Sequence, residues 1–309
     1  MALFGFGKKE ETEVLVNKKA KWDERSSKIK TWMFIIAIVA EIGIILAIAK
    51  AYGFLGEGVP LGEKVAVIDF NQEVTQEYVN TVIKSMDKVK EDKAYQEILF
   101  IMNSPGGSPT ASEELSEYLK DYTSKKKVSM YIQGIAASGG YYIASAIKPL
   151  IANKNAMVGS IGVIMPHYNI GPLAKKLGVE EDDLSSGEYK KPISFFKKVG
   201  EKEKAYLKKQ LLTPTYNNFI DSVSNNRGIE RTQLLPYTEG KIFVANAKEI
   251  EGVLVDEVLV LHRLKDRIKK RLKRKISFVD VMPKEPMGFL GNKVDVNLNL
   301  DTKFDSSLK

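Results

Sequence analysis

The apolar positions after residue 60 follow two alternating patterns, short continuous runs and longer stretches at helical spacing. Residues 65–70 and 98–102 are almost continuous apolar runs, which are typical of strands buried on both faces. Between them, residues 75–91 carry apolar side chains at helical spacing. The same alternation predicts a helix at 109–124, a strand at 128–133, a small-residue helix at 138–147 and short strands at 150–152 and 158–163. This β-α-β-α order predicts an α/β fold with a mainly parallel sheet covered by helices.

A different pattern precedes this region, an apolar segment long enough to cross a membrane. The eighteen residues from Trp32 to Ala49 contain a single charge, Glu41. At ~1.5 Å per residue, residues 32–52 extend roughly 30 Å, the thickness of the hydrocarbon core. We therefore predict one N-terminal transmembrane helix as an anchor over residues 32–53. A buried core helix is disfavoured because the segment has no polar face, and a cleaved signal peptide because 31 residues precede the apolar run.

Basic residues flank the apolar segment unequally, and this predicts its orientation. Six of them precede it within a short distance, whereas only Lys50 and Lys64 follow it. The positive-inside tendency then predicts a cytoplasmic N-terminal segment over residues 1–31. In a bacterium this describes a single-pass protein of the inner (cytoplasmic) membrane with a periplasmic or extracytoplasmic body. Glu41 at mid-membrane indicates either association between copies of the helix or a protonated carboxyl that the lipid tolerates.

Composition removes several kinds of chemistry from consideration. The 309 residues include no cysteine and two histidines, His167 and His262, which excludes disulfides, a cysteine nucleophile and a multi-histidine metal centre. The net charge of +8 is concentrated in residues 262–275, which contain nine basic residues and one acidic residue. A surface that tracks nucleic acid would spread its basic residues more widely, so we expect no nucleic-acid partner. The basic segment indicates either contact with anionic lipid head groups or a solvated helix face.

The candidate functional residues lie in loops that follow predicted strands, because parallel sheets bind ligands at the carboxyl ends of their strands. The loop after residues 98–102 contains Gly106 and Gly107, whose backbone amides no side chain of their own obstructs. Two interpretations remain open: the amides bind an anion or a developing oxyanion, or the loop is a plain tight turn. The next loop places Ser138 among small residues where a strand gives way to a helix. That position suits an open nucleophile or an N-capping serine.

A serine nucleophile needs a base, and two residue types are available to supply it. His167 follows a predicted strand and is a conceivable partner, whereas His262 lies within the basic segment. The alternative is a lysine, which acts as a base only when burial has made its amine neutral. Because lysine and arginine together number 47, composition does not identify which lysine would serve.

Four motifs within residues 103–191 occur in an order that resembles one known enzyme family. They are Asn-Ser-Pro-Gly-Gly at 103–107, Ala-Ala-Ser-Gly-Gly-Tyr-Tyr-Ile-Ala at 136–144, Gly-Ser-Ile-Gly-Val at 159–163 and Ser-Gly-Glu-Tyr-Lys at 186–190. Together they resemble the S49 family of serine peptidases, the signal peptide peptidase A or protease IV group. Residues 240–257 are similar to an ending shared by caseinolytic-protease-like and crotonase folds. The resemblance covers about 60–260 and implies a caseinolytic-protease/crotonase-like fold for that peptidase domain.

The resemblance implies a Ser–Lys dyad that needs neither a metal nor a cofactor. Ser138 would be the nucleophile and Lys190 the general base, with Lys191 as the neighbouring residue that is most easily confused with it. Ser160 would donate or accept a hydrogen bond that orients the lysine amine. The oxyanion would be held by the backbone amides of three glycines, Gly106, Gly107 and Gly139.

The same resemblance implies a substrate class and an assembly. It predicts a membrane-anchored serine endopeptidase that cleaves remnant signal peptides or similar apolar peptides through an acyl-enzyme. Because each motif occurs once, the chain is similar to the short members of the family. In those members neighbouring subunits of a homo-oligomeric ring or dome share each serine and lysine. Its expected partners are therefore apolar peptide substrates, the lipid bilayer and further copies of the chain.

Three alternatives remain open at this point. The first is a related S49 membrane-protein protease with a different client, and the second is a crotonase-type acyl-CoA enzyme. The third is a membrane scaffold that has kept the fold without catalysis. Beyond the peptidase domain we predict a polybasic helix at 261–275, followed by a C-terminal tail at 276–309. Within the tail, residues 294–300 alternate as a strand would, and we assign them no partner.

Overall fold

The computed structural model describes residues 6–51, 63–273 and 275–283 of the chain. The alternating run at 294–300 lies outside the described residues. The chain divides into two units, Met1–Leu61 and Gly62–Lys309, and each is described by itself.

The first unit contains one long helix, α1 (Phe6–Ala51). Its segment Arg25–Ile48 has 24 residues and a mean hydropathy of 2.5, so it is long and apolar enough to cross a membrane. Large side chains along that segment are exposed, among them Phe34 and Ile36. An apolar surface of this extent is unfavourable in water, because each exposed methylene group costs free energy that burial would recover.

The second unit is built on an eight-stranded sheet within the described residues. The strands are β1 (Glu63–Phe70), β2 (Tyr95–Ser104), β3 (Lys127–Ala137), β4 (Leu150–Ala152), β5 (Met157–Gly159), β6 (Ile242–Val244), β7 (Glu257–Val258) and β8 (Ile276–Asp280). The main path runs β6-β5-β3-β2-β1-β8, and β4 lies beside β3 and β7. The described pairings are parallel except for β5 with β6. The predicted α/β fold with a mainly parallel sheet is confirmed.

Helices connect the strands and cover the sheet. They are α2 (Gln76–Lys90), α3 (Pro109–Thr123), α4 (Gly139–Ser145), α5 (Gly171–Lys176), α6 (Glu201–Leu207), α7 (Thr213–Arg227), α8 (Arg231–Leu234) and α9 (Leu261–Leu272). A π-helical turn, Lys208–Leu212, joins α6 directly to α7. Short 3-10 turns at Leu235–Tyr237 and Lys248–Ile250 complete the described helical elements.

The sheet is buried on both faces, which explains why its central strands are almost continuously apolar. In β1, Ala66 and Ile68 belong to the larger core, which also holds apolar residues of α2, α3, α4 and α7. The alternate residues Val65 and Val67 belong to a smaller core on the other face, with side chains of α9. A strand with two covered faces needs apolar side chains at both alternating positions, so its pattern is not period two.

Among the strand boundaries that differ from the sequence-based prediction, two lie next to the candidate site residues Ser138 and Ser160. The strand predicted to end at 133 extends to Ala137, so β3 leads directly into Ser138. The strand predicted at 158–163 ends at Gly159, because the next residue, Ser160, has a φ of 52°. A left-handed residue cannot continue an extended strand, so the chain leaves the sheet there.

The basic segment forms α9, which is a covering helix of the sheet. Leu264 and Ile268 are buried in the smaller core, one turn apart on the same face of the helix. Two of its arginines form ion pairs with carboxylates of the sheet, Arg267 with Glu257 and Arg271 with Glu97. These two basic residues therefore help to hold the helix against the sheet.

Candidate active site

Ser138 lies at the junction of β3 and α4 in a strained backbone conformation. Its φ of 50° and ψ of −125° are unusual for a residue with a side chain. The conformation is held by hydrogen bonds on both sides, because the Ser138 amide donates to Gly159 O at 2.9 Å and its carbonyl accepts from the Tyr142 amide at 3.0 Å. The half-buried side chain makes no capping hydrogen bond to α4. The N-capping alternative therefore does not apply, and the hydroxyl is available for chemistry.

Gly106 makes room for this serine. Its φ is 108°, and a Cβ at this position would stand 2.7 Å from the Ser138 Cβ and 2.8 Å from Ala137 O. The Gly106 amide donates to the hydroxyl of Ser104 at 3.2 Å, and Ser104 is itself fully buried. The Gly106 amide therefore already has a hydrogen-bond partner, and the close contacts require that residue 106 carry no side chain. Its role as an oxyanion donor stays a prediction.

The amides of the other two predicted glycines remain available. A Cβ on Gly139 would stand 3.3 Å from the Gly107 amide nitrogen, so the two glycines are direct neighbours beside Ser138. Among the described residues, neither amide donates a hydrogen bond to an acceptor of the chain. Two such donors beside a nucleophile are the arrangement that stabilises a developing oxyanion.

Close packing explains why both of these residues are glycines. A Cβ on Gly107 would stand 2.3 Å from Val74 O, and one on Gly139 would stand 2.3 Å from the Ser112 hydroxyl. The loop is held there by hydrogen bonds with Val74, whose amide donates to Gly106 O and whose carbonyl accepts from the Ser108 amide, both at 2.8 Å. The sequence indicated the glycines, but it gave no role to Ser104, Ser112 or Val74.

Ser160 is the second residue with a side chain that adopts a left-handed conformation beside the site. Its φ is 52°, and its amide donates to Lys241 O at 2.6 Å. The preceding residue, Gly159, accepts the hydrogen bond from the Ser138 amide. Ser138 and Ser160 line the same cavity, so the structure brings these two predicted site residues together.

The shared cavity has a volume of 1180 Å³ and mainly apolar walls. Its apolar lining comes from Val163, Ile164, Met165, Ile193, Val199, Leu207 and Leu212. Three lysines also line it, Lys198, Lys204 and Lys208, together with Glu239. The cavity is larger than the ~300–1,000 Å³ that a small ligand needs, which fits an extended chain better. Part of its wall is the π-helical turn, an element frequent at functional sites.

Lys190 lies elsewhere in the isolated chain. It is exposed, and it lines neither of the cavities that contain Ser138. It belongs to residues 164–199, a segment with many exposed apolar side chains that we call the arm. The two halves of the arm are joined by hydrogen bonds, for example from the Ile170 amide to Phe195 O at 2.7 Å. The structure therefore does not join the predicted dyad within one chain.

The neighbouring lysine is engaged differently. The Lys191 ammonium forms ion pairs with Asp183 at 2.7 Å and Glu181 at 2.6 Å. Hydrogen bonds to these carboxylates raise the pKa of Lys191 and favour its protonated form. Among the described residues, Lys190 has no such ion pair. Lys191 is therefore poorly suited to the role of a neutral base.

Neither histidine pairs with the serine among the described residues. His167 lines the large cavity, but its Nε2 lies 2.9 Å from Ser194 O, which it can serve only as a donor, and its ring stacks on Phe195. His262 is exposed on α9. The serine–histidine alternative is thus not supported by the described contacts.

Comparisons with known proteins agree with this geometry. The sequence profile of Peptidase family S49 matches residues 120–275, and that of Clp protease matches residues 63–159. A protein named as a protease in Methanocaldococcus jannaschii is 31% identical over 246 residues, which cover 75% of this chain and 78% of that protein. A protein named as a protease in Synechocystis sp. is 32% identical over 63% of this chain and 70% of its own length. A protein named as signal peptide peptidase SppA in Enterococcus faecium is 30% identical over 69% of this chain and 62% of its own length.

Proposed function

The chain belongs to peptidase family S49 and is a serine peptidase, and from this premise we propose that Ser138 and Lys190 form its catalytic dyad. The observation that carries the proposal is the strained conformation of Ser138 beside the unused amides of Gly107 and Gly139. Strain of about 1–3 kcal/mol persists at functional sites where the surrounding structure enforces it. The family match also leaves the acyl-CoA enzyme and the non-catalytic scaffold without support.

The proposed reaction begins with attack of the Ser138 hydroxyl oxygen on the carbonyl carbon of the scissile peptide. The neutral amine of Lys190 takes the hydroxyl proton, and the amides of Gly107 and Gly139 stabilise the negative carbonyl oxygen. The lysine then gives this proton to the leaving amine, and an acyl-enzyme remains. Water, activated by the same amine, releases the acyl group and restores the serine. Gly106 contributes by leaving space for the serine side chain.

We assign Lys190 to the site of a neighbouring copy of the chain. Its exposure in the isolated chain and its absence from the cavities at Ser138 support this assignment. A lysine amine becomes neutral when it is desolvated, and a contact between copies would desolvate this exposed side chain. Ser160, which lines the cavity with Ser138, would then orient the incoming amine.

The arm has the surface that such a contact requires. Its most exposed apolar side chains are Ile164, Tyr168, Leu177 and Leu184, with exposed fractions from 71% to 102%. Apolar patches of this extent on a soluble surface mark interaction sites. In a head-to-tail ring, the arm of each copy would cover the cavity of the next copy.

The apolar cavity suits apolar peptides, and the anchor would hold the enzyme where such peptides remain. We propose remnant signal peptides as the substrate class, a function that the relative from Enterococcus faecium carries in its name. The predicted anchor at residues 32–53, which includes most of the apolar segment Arg25–Ile48, would span the membrane. Residues 1–31 would then lie in the cytoplasm and the peptidase domain of about 60–260 on the other side.

Point variants test the dyad. In full-length protein purified in detergent, Ser138→Ala and Lys190→Ala should each lower kcat/KM on an apolar fluorogenic peptide by at least about 1,000-fold. Lys191→Ala is the matched control and should keep most of the activity. Unchanged turnover in either of the first two variants, with the assembly retained, would remove that residue from the proposal.

Mixing the two inactive variants tests the sharing of the dyad. If each site takes its serine and lysine from different copies, oligomers assembled from equal amounts of Ser138→Ala and Lys190→Ala should regain activity at about a quarter of their sites. Mixtures that assemble but stay inactive would show that the two residues act within one chain.

A further inference from the structure

Ser138 also lines a second cavity, which lies on the side of α3 and α7 and has a volume of 370 Å³. The rings of Tyr142 and Phe219 form part of its wall and stack at 5.0 Å. The Tyr142 hydroxyl is hydrogen-bonded to Ser222 at 2.6 Å, which fixes the ring in place. This volume falls in the range of ~300–1,000 Å³ that holds small ligands, so one long side chain can enter it.

One carboxylate faces this otherwise uncharged cavity. Glu113, in the second turn of α3, is the only charged residue in its lining among the described residues. Its carboxylate has no ion pair or side-chain hydrogen bond there, in contrast to its neighbours along the helix. Glu114 accepts a hydrogen bond from Gln76 at 2.5 Å, and Glu117 pairs with Lys120 at 2.5 Å.

The negative charge of Glu113 also acts on Tyr142 in the aromatic wall of this cavity. Burial raises the pKa of Tyr142, the hydrogen bond with Ser222 partly offsets this, and the charges of Glu113 and Glu117 raise the pKa further. The large cavity, which Ser138 also lines, has a lining of positive net charge, since Lys198, Lys204 and Lys208 outnumber Glu239. The two cavities that Ser138 lines therefore have linings of opposite net charge.

From these observations we propose that the second cavity is a subsite for a cationic side chain, lysine or arginine, of the peptide substrate. The methylene stem of such a side chain packs on apolar and aromatic walls while its charged end remains near a polar group. Here the stem lies against Tyr142 and Phe219, and the charged end meets Glu113. The assignment rests on Ser138 being the nucleophile, because the subsite is defined by its position beside that residue.

Pairs of apolar fluorogenic peptides measure this preference. The two peptides of a pair differ at one position near the scissile bond, where one has lysine and the other has norleucine, its uncharged analogue. One pair is made for each position on either side of the bond. The full-length protein in detergent should cleave the lysine peptide with about a tenfold higher kcat/KM at one position, because hydrogen bonds to a charged group are among the stronger ones. Equal values at every position would overturn the proposal.

Substitutions then connect the preference to Glu113. Glu113→Gln should abolish the tenfold ratio, and Glu113→Lys should invert it in favour of norleucine. Glu114→Gln, one residue along the same helix and outside the cavity lining, is the matched control and should retain the ratio. A ratio that survives in Glu113→Gln would assign the preference to another residue and overturn the proposal.

Binding separates this proposal from the proposed function. Anisotropy of the labelled peptides with the Ser138→Ala variant measures the subsite without turnover. A protein that shows no cleavage dependent on Ser138 would end the dyad proposal, yet tighter binding of the lysine peptide, lost in the Ser138→Ala/Glu113→Gln double variant, would still support the subsite. Equal binding of both peptides would overturn the subsite even in an active enzyme.

Discussion

Two serines adopt left-handed backbone conformations at the site, Ser138 with a φ of 50° and Ser160 with a φ of 52°. Both lie at the carboxyl ends of parallel strands, where the chain must leave the sheet and turn sharply. The hydrogen bond from the Ser138 amide to Gly159 O links the two turns, so neither relaxes independently. The hydrogen bond therefore fixes the backbone from which both hydroxyls project.

At this scale we predict that Gly106→Ala nearly abolishes activity. The new Cβ would stand 2.7 Å from the Ser138 Cβ, so the serine must move, and a displacement of about 1 Å costs about 100-fold in rate. Gly252→Ala is the control, because Gly252 also has a positive φ of 73° but no atom within 4 Å of the new Cβ. It should lose only about 1 kcal/mol of stability from the left-handed backbone. Equal kcat/KM in the two variants would contradict this account.

At the scale of elements, a buried ion pair joins the end of α7 to the segment before β7. The Arg227 side chain is fully buried and contacts Asp256 through two hydrogen bonds, at 2.9 and 2.6 Å. Its Nε donates to Val253 O at 3.0 Å, and Asp256 also accepts from the Leu150 amide at 2.6 Å. The fully buried Tyr141, three residues after Ser138, donates to Leu254 O. The ion pair and this hydrogen bond thus hold α4, the helix that follows Ser138, in place.

We predict that Arg227→Met destabilises the protein by about 3–5 kcal/mol, because it leaves the Asp256 carboxylate without its partner. The double variant Arg227→Met/Asp256→Leu should recover part of this loss, since no unpaired charge then remains. Chemical denaturation of the three proteins measures the difference. A double variant that is no more stable than Arg227→Met would show that packing, not the unpaired charge, dominates.

The same ion pair predicts a dependence of stability on pH. Burial opposes ionisation of Asp256, but hydrogen bonds from Arg227 and the Leu150 amide outweigh it, so the pKa is lowered from its ordinary value of 3.8. A carboxyl with a lowered folded-state pKa contributes stability above the unfolded value and loses it as the pH falls through the folded value. Stability in the wild type should therefore fall below pH 3.8, and this part of the fall should be absent in Asp256→Asn.

At the scale of the whole molecule, the arm is the described segment whose exposed apolar side chains are hardest to account for in a single chain. Its apolar side chains are exposed, although burying each of them would contribute about 1.5–3 kcal/mol. The same segment carries Lys190, the one residue of the proposed dyad that lies away from Ser138. An assembly in which arms cover neighbouring cavities would account for both facts.

We predict that the variant Leu177→Gln/Leu184→Gln loses assembly and activity together. The two leucines are 71% and 102% exposed, so their replacement should leave the unfolding temperature of the isolated chain unchanged. Light scattering with size-exclusion chromatography in detergent measures the assembly, and peptide cleavage measures the activity. Leu235→Gln, at a 43% exposed leucine outside the arm, is the control. Activity retained by a fully dissociated double variant would contradict the shared site.

Much of the fold and the family could be predicted from local sequence. The nearly continuous apolar runs of β1 and β2 predicted buried parallel strands, because a strand covered on both faces leaves that pattern in its own residues. The motif around Ser138 predicted the family and the serine peptidase, and the comparisons confirm both. The roles of Ser138 and Lys190 remain predictions. The predicted ends of β3 and β5 were wrong, because backbone hydrogen bonds with segments distant in sequence determine where these strands end.

The sequence by itself determined the order of the elements, the apolar N-terminal helix and the identity of the chemical groups, since these follow from composition and periodicity along the chain. Only the tertiary structure decided how those groups are oriented. It turned the Gly106 amide toward Ser104, left the amides of Gly107 and Gly139 unused, and placed Glu113 in a cavity beside Ser138. These relations depend on contacts between residues far apart in sequence, and such contacts exist only once the chain has packed.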